Sequence, residues 1–153
     1  MIVGVPREVK AGERRVALLP EQVSTLVEEG HDVQVETRAG LTVGFDDEAY
    51  TDAGAMVVTA RDAWDAELVV KVKEMLPEDF THAQAGSAVF AFHHLVGAPE
   101  RTRALAAKGL TAIAFESVRD ALGRYPMLAP MSRIAGRMAA MPYCVNVGGW
   151  CCR

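Results

Sequence analysis

The chain reads as an α/β domain, a mostly parallel sheet covered by helices on both faces. Three observations lead there. Short apolar runs rich in β-branched residues recur along the sequence, amphipathic stretches with helix start and stop residues lie between them, and 153 residues suit one folding unit with a real core. Strands that alternate with helices in this way pair in parallel, because each connection must cross a face of the sheet before the next strand is laid down. The expected domain is a single three-layer unit over residues 1–140, flavodoxin-like or Rossmann-like, with a divergent tail at 141–153.

The elements follow in order. Ile2 to Val5 is the first strand. Pro20 opens a helix, since its fixed φ and missing N–H suit a first turn; Val23, Leu26 and Val27 fall on one side, and Gly30 stops it. Asp32 to Val35 is the second strand. Asp46 caps a helix running through Tyr50, its carboxylate accepting from an otherwise unpaired first-turn N–H. Further strands are expected at Ala55 to Val58, Leu68 to Lys71, Ala88 to Phe92 and Thr111 to Phe115, and Pro99 opens a helix that ends at Gly109. From Pro130 to about Val147 a further helix is expected, with a kink or break near Pro142, and Trp150 is expected to cover apolar surface or a homodimer contact.

Charge narrows the partners. Sixteen basic against 20 acidic residues leave a net charge of -4, with no run of Lys and Arg, so neither nucleic acid nor an anionic membrane is expected. The N-terminal apolar stretch is far shorter than a signal-peptide core or a membrane span, which gives a cytoplasmic expectation. Cys144, Cys151 and Cys152 crowd into the last ten residues, which is no disulfide framework, and they form no zinc pattern. Adjacent His93 and His94 point to opposite sides of an extended segment and do not share an ion, so no metal is expected. There is no G-x-G-x-x-G turn between a strand and a helix, no P-loop and no G-x-S-x-G elbow, so no cofactor is expected.

In parallel sheets ligands gather beyond the carboxyl ends of the strands. The residues there are Arg14 and Arg15 after the first strand, Lys71 and Lys73 after Leu68 to Val70, His93 and His94 after Ala88 to Phe92, and Glu116 and Ser117 after the last strand. A guanidinium holds a carboxylate through two parallel charge-assisted hydrogen bonds, and a nearby ammonium holds the other oxygen or polarises a carbonyl. An imidazole titrating near neutrality passes a proton to or from that carbonyl oxygen. Such a set, Arg15 with Lys73 and His94, suits a 2-oxo or 2-amino acid.

Five segments then carry a family resemblance: GVPREVKAGERRVALLP (Gly4 to Pro20), AGLTVGFDDEAYTDAGA (Ala39 to Ala55), VVKVKE (Val69 to Glu74), HHL (His93 to Leu95) and APMSRIAGRMAA (Ala129 to Ala140). In this order they resemble the N-terminal substrate domain of the bacterial alanine dehydrogenase and transhydrogenase alpha-subunit family. The resemblance implies that Arg15 and Lys73 bind the carboxylate, that His94 is the acid-base group, and that Met131 and Ser132 lie where substrate and nicotinamide meet. His93 stands where the family has an apolar residue, Phe92 where an aromatic with a hydroxyl is common, and Arg133 where a carboxylate is usual. The family's cofactor domain follows the AGRMAA-like segment, so these 153 residues are expected to bind a small 2-oxo or 2-amino acid without NAD-dependent hydride transfer. Two alternatives stand beside that reading: a cofactor-independent enzyme using Lys73 and His94, by proton transfer or a Schiff base, and an oligomerisation module, with a homo-oligomer expected.

Overall fold

In the computed structural model, which describes residues 1–146, with side-chain surroundings through residue 139, the chain lays down six strands and six helices. The first half holds β1 (Ile2–Val5), α1 (Pro20–Glu28), β2 (Asp32–Glu36), α2 (Asp47–Asp52), β3 (Met56–Val58) and α3 (Ala60–Trp64). Then come β4 (Leu68–Val70), α4 (Asp79–His82), β5 (Ala88–Ala91), α5 (Pro99–Ala107), β6 (Thr111–Ala114) and α6 (Leu128–Asn146). Short 3-10 turns lie at Leu41–Val43 and Phe115–Ser117.

The strands form one sheet in the order β3-β2-β1-β4-β5-β6, with every neighbouring pair parallel. This is the Rossmann strand order and not the flavodoxin one. From β1 the chain steps outward to β3, then returns to β4 and steps the other way. Right-handed crossovers therefore put α1 and α2 on one face and α3, α4 and α5 on the other. The contacts agree, since α1 meets α2 while α3 packs across β1 and β2 and meets α4.

Local chemistry explains most boundaries. Pro20 opens α1, Gln22 reaches back to accept from the Leu19 N–H at 2.9 Å, and Gly30 ends the turn at φ +86°. Asp46 caps α2 by accepting from the Ala49 N–H at 3.1 Å. Short α3 and α4 have no counterpart in the sequence reading, because five and four residues cannot display a helical repeat. Thr59 caps α3, and Ala63 and Trp64 bury themselves against the sheet. That packing requires Gly4: a Cβ there would lie 1.9 Å from the Ala63 carbonyl oxygen. On this face the core joins Trp64, Val69, Met75, Val89, Ala91 and Leu105. Strands β4, β5 and β6 end before Lys71, Phe92 and Phe115, one residue short of expectation.

The chain divides into two compact units, Met1–Ala114 and a second from Phe115 onward, and the boundary expected at 140/141 falls inside α6. Helix α6 starts two residues before Pro130, which sits in the first turn where a proline loses no helical bond, and it continues past Pro142 to Asn146 without the expected break. Val147 and Trp150 lie outside the described residues. Among the described residues no helix is long and apolar enough to cross a membrane.

Candidate functional site

Strand order reverses between β1 and β4, so their carboxyl ends open the crevice in which such sheets take ligands. Three loops meet the edge of that crevice, those following β1, β4 and β5. Charged side chains tie them together, and they do so in layers.

The deepest layer centres on Lys71, fully buried although it follows a strand end. Its ammonium donates to Asp79 Oδ2 at 2.7 Å, stands 3.7 Å from Glu8 Oε2, and lies 6.0 Å from the centre of the Trp64 ring. Asp79 also accepts from the Leu76 N–H at 2.8 Å. Glu8, from the β1 loop, accepts the Val72 N–H at 2.5 Å and the Lys73 N–H at 3.3 Å. Desolvation pushes the Glu8 carboxyl above its ordinary range, opposed chiefly by the charge of Lys71. Removing charges from water is repaid only through partners: Lys71 and Asp79 bond each other directly, whereas Glu8 Oε2 has the Lys71 charge at 3.7 Å but no hydrogen bond, in keeping with its raised carboxyl. Lys71, singled out from sequence as a ligand-side residue, is a buried structural cation.

Nearer the surface lies a second carboxylate, Glu13. Its Oε1 accepts from the backbone N–H of Arg14 at 3.0 Å and of Arg15 at 2.8 Å, and from Arg15 Nε at 2.8 Å; its Oε2 accepts from Arg15 Nη2 at 2.6 Å. Lys73 Nζ is 3.8 Å from the same Oε2. The hydrogen bond from the Arg15 side chain, above all, holds the Glu13 carboxyl down at about 2, against the opposing cost of burial, and Glu13 raises Arg15 in return. Arg15 and Lys73, 58 positions apart, thus converge on one carboxylate. Arg14 is exposed.

Strand β5 delivers the two histidines into different environments. His93 is fully buried, and its Nε2 donates to the Val89 carbonyl at 2.9 Å, which fixes the proton on that nitrogen because a carbonyl can only accept. His94 is exposed, with φ +48°, and its ring stacks on Phe92 at 5.9 Å between centroids. Arg101 Nη1, from α5, donates to the carbonyls of His93 at 2.9 Å and His94 at 3.4 Å. Arg101 Nη2 is in turn 4.0 Å from Glu74, which accepts from Lys10 Nζ at 2.5 Å. Although burial works against it, Lys10 and Arg101 hold the Glu74 carboxyl below its ordinary value.

Met131 and Ser132 lie in the first turns of α6, in the second compact unit; Met131 is half-buried and Ser132 exposed. The sequence reading passed over Glu8, Glu13, Glu74 and Arg101. Glu13 had a local signal, two positions before Arg15, whereas Glu8 and Glu74 meet partners far along the chain and Arg101 meets backbone carbonyls seven and eight positions back, which no side-chain pattern marks. Among the described residues no group of His, Cys, Asp and Glu comes together to hold a metal ion. The β1–α1 connection, residues 6–19, holds one glycine, Gly12, and not the Gly-rich turn that cradles a pyrophosphate in dinucleotide-binding folds.

Comparison with known proteins agrees with this architecture. The family profile described as alanine dehydrogenase/PNT, N-terminal domain, matches residues 4–135. Alanine dehydrogenase of Bacillus subtilis (strain 168) is 52% identical over 142 residues, 92% of this chain and 37% of the relative. That of Geobacillus stearothermophilus is 45% identical over 141 residues, 91% of this chain and 38% of the relative. Among solved structures, an L-alanine dehydrogenase matches with a TM-score of 0.87 at 50% identity, over 92% of this chain and 39% of that one. A transhydrogenase from Sinorhizobium meliloti matches at 0.73 and 37% identity, over 76% and 35%. The chain spans little more than a third of the length of these relatives. With sequence and fold in agreement over the same residues, the chain belongs to the alanine dehydrogenase/PNT N-terminal domain family.

Proposed function

We propose that this domain binds a small 2-oxo or 2-amino acid, alanine by the name of its relatives or pyruvate as its 2-oxo counterpart, at the carboxyl ends of β1, β4 and β5. One observation carries the reading: a guanidinium and an ammonium from two loops flank a single carboxylate, Glu13. A guanidinium beside an ammonium is the pair of donors that suits a small carboxylate, the first through a bidentate fork and the second as a point charge. Arg15 and Lys73 would hold that carboxylate, and His94 would stand at the substrate oxygen or nitrogen as the acid-base group. In this reading the stretch binds no nucleotide in the usual manner, because the β1–α1 connection lacks a Gly-rich turn.

Calorimetric titration of the wild-type protein with pyruvate and with alanine tests the reading. Saturable binding of either is expected, together with no response of NADH fluorescence at micromolar protein. Absence of saturable acid binding overturns the carboxylate site, and saturable NADH binding overturns the nucleotide part.

A further inference from the structure

His94 adopts the left-handed backbone region, φ +48°, which an L side chain with a Cβ occupies at a cost. Something must hold it there. Its ring lies nearly parallel to Phe92, at an interplanar angle of 11°, and the carbonyls on either side of its φ and ψ, those of His93 and His94, both accept from the same nitrogen of Arg101. Arg101 belongs to α5, so the turn is tied to a helix and not only to its own strand. The guanidinium is itself oriented. Its other terminal nitrogen faces Glu74, whose side chain is only 10% exposed and is also bound by Lys10 of the β1 loop.

We infer that Arg101 is a positioning residue for His94: by gripping two consecutive carbonyls it keeps the turn after β5 left-handed and the imidazole at the ligand-side end of the sheet. Lys10, Glu74 and Arg101 thereby link the loops after β1, β4 and β5 into one frame. The role of the imidazole rests on the acid-binding reading above, whereas the grip on the backbone does not. Glycine occupies the left-handed region without strain, so a glycine at position 94 has less need of the grip.

Two measurements test this. In urea unfolding, Arg101→Met should lower the midpoint clearly in the wild-type background and much less in a His94→Gly background; equal losses in both overturn the grip on the turn. In calorimetry, Arg101→Met should weaken pyruvate about five- to tenfold and leave propionate, which has the carboxylate but no oxo group, unchanged. Arg101→Lys, which keeps a donor, should recover part of the pyruvate affinity. Equal weakening of both acids, or of neither, overturns the orienting role. If the wild type binds neither acid, the acid-binding reading falls, and the unfolding comparison alone decides whether Arg101 holds the turn.

Discussion

The two ends of the sheet place their charged side chains differently. At the amino end a depression of about 510 Å³ is lined by Ile2, Asp65, Glu67, Gln84 and Ser87 among others, with two carboxylates and no Lys or Arg. Its polar groups serve the backbone nearby: Glu67 accepts from the Ile2 N–H at 2.7 Å, and Ser87 donates to the Ala66 carbonyl at 2.8 Å. At the carboxyl end, Glu8 of the β1 loop meets Lys71 and the Val72 N–H, and Lys10 of the same loop donates to Glu74, each partner more than 60 positions away. What separates the ends is the convergence of unlike charges from loops that only the sheet brings together.

The sharpest way to break the contrast is Lys71→Met. It leaves Asp79 and Glu8 buried without their cation, and removing one partner of a buried pair costs about 3–5 kcal/mol, to be read from urea denaturation. A loss below about 1 kcal/mol would mean the buried layer does not hold the carboxyl end together. Next in size is Arg15→Ala, which should weaken pyruvate by about 1.5–3 kcal/mol, roughly ten- to hundredfold, while Arg14→Ala changes nothing. Calorimetry on the two variants distinguishes them, and equal affinities would remove Arg15 from the site.

A smaller effect is expected from pH. Glu13 is held at about 2 in the folded chain against an ordinary 4.5, so its contribution to stability is present above 4.5 and drains away as pH falls toward 2. Glu13→Gln should flatten the stability curve in that window, measured by thermal unfolding at a series of pH values. An unchanged slope would show that Arg15 does not depress it. Smallest of all, Glu67→Gln at the amino end should shift stability by no more than about 0.5 kcal/mol and leave pyruvate binding untouched. A change in ligand affinity from that variant would erase the distinction between the two ends.

Lys71 and Lys73 show how far the sequence could be read. Both follow the same strand, and by position alone both belonged to the ligand side. The sheet sends Lys71 inward to Asp79 and Glu8, whereas Lys73 keeps its side chain 28% exposed beside Glu13. The His93–His94 pair divides into an interior donor and an exposed ring, as alternation along an extended segment implied, but the left-handed turn at His94 follows from no spacing rule.

The alternation of strands and helices, the openings at Pro20 and Pro99, the stop at Gly30 and the cap at Asp46 were all legible in the chain itself. Each depends on φ/ψ preferences and hydrogen bonds within a few residues, which the local sequence supplies. Family membership was legible too, in segments spread from Gly4 to Ala140. Only the tertiary structure decided the strand order, the helices α3 and α4, and which acid meets which base, Glu8 with Lys71, Glu13 with Lys73, and Glu74 with Arg101. Those outcomes depend on pairings between distant segments and on the desolvation that burial imposes, and neither quantity exists until the sheet has brought the loops together.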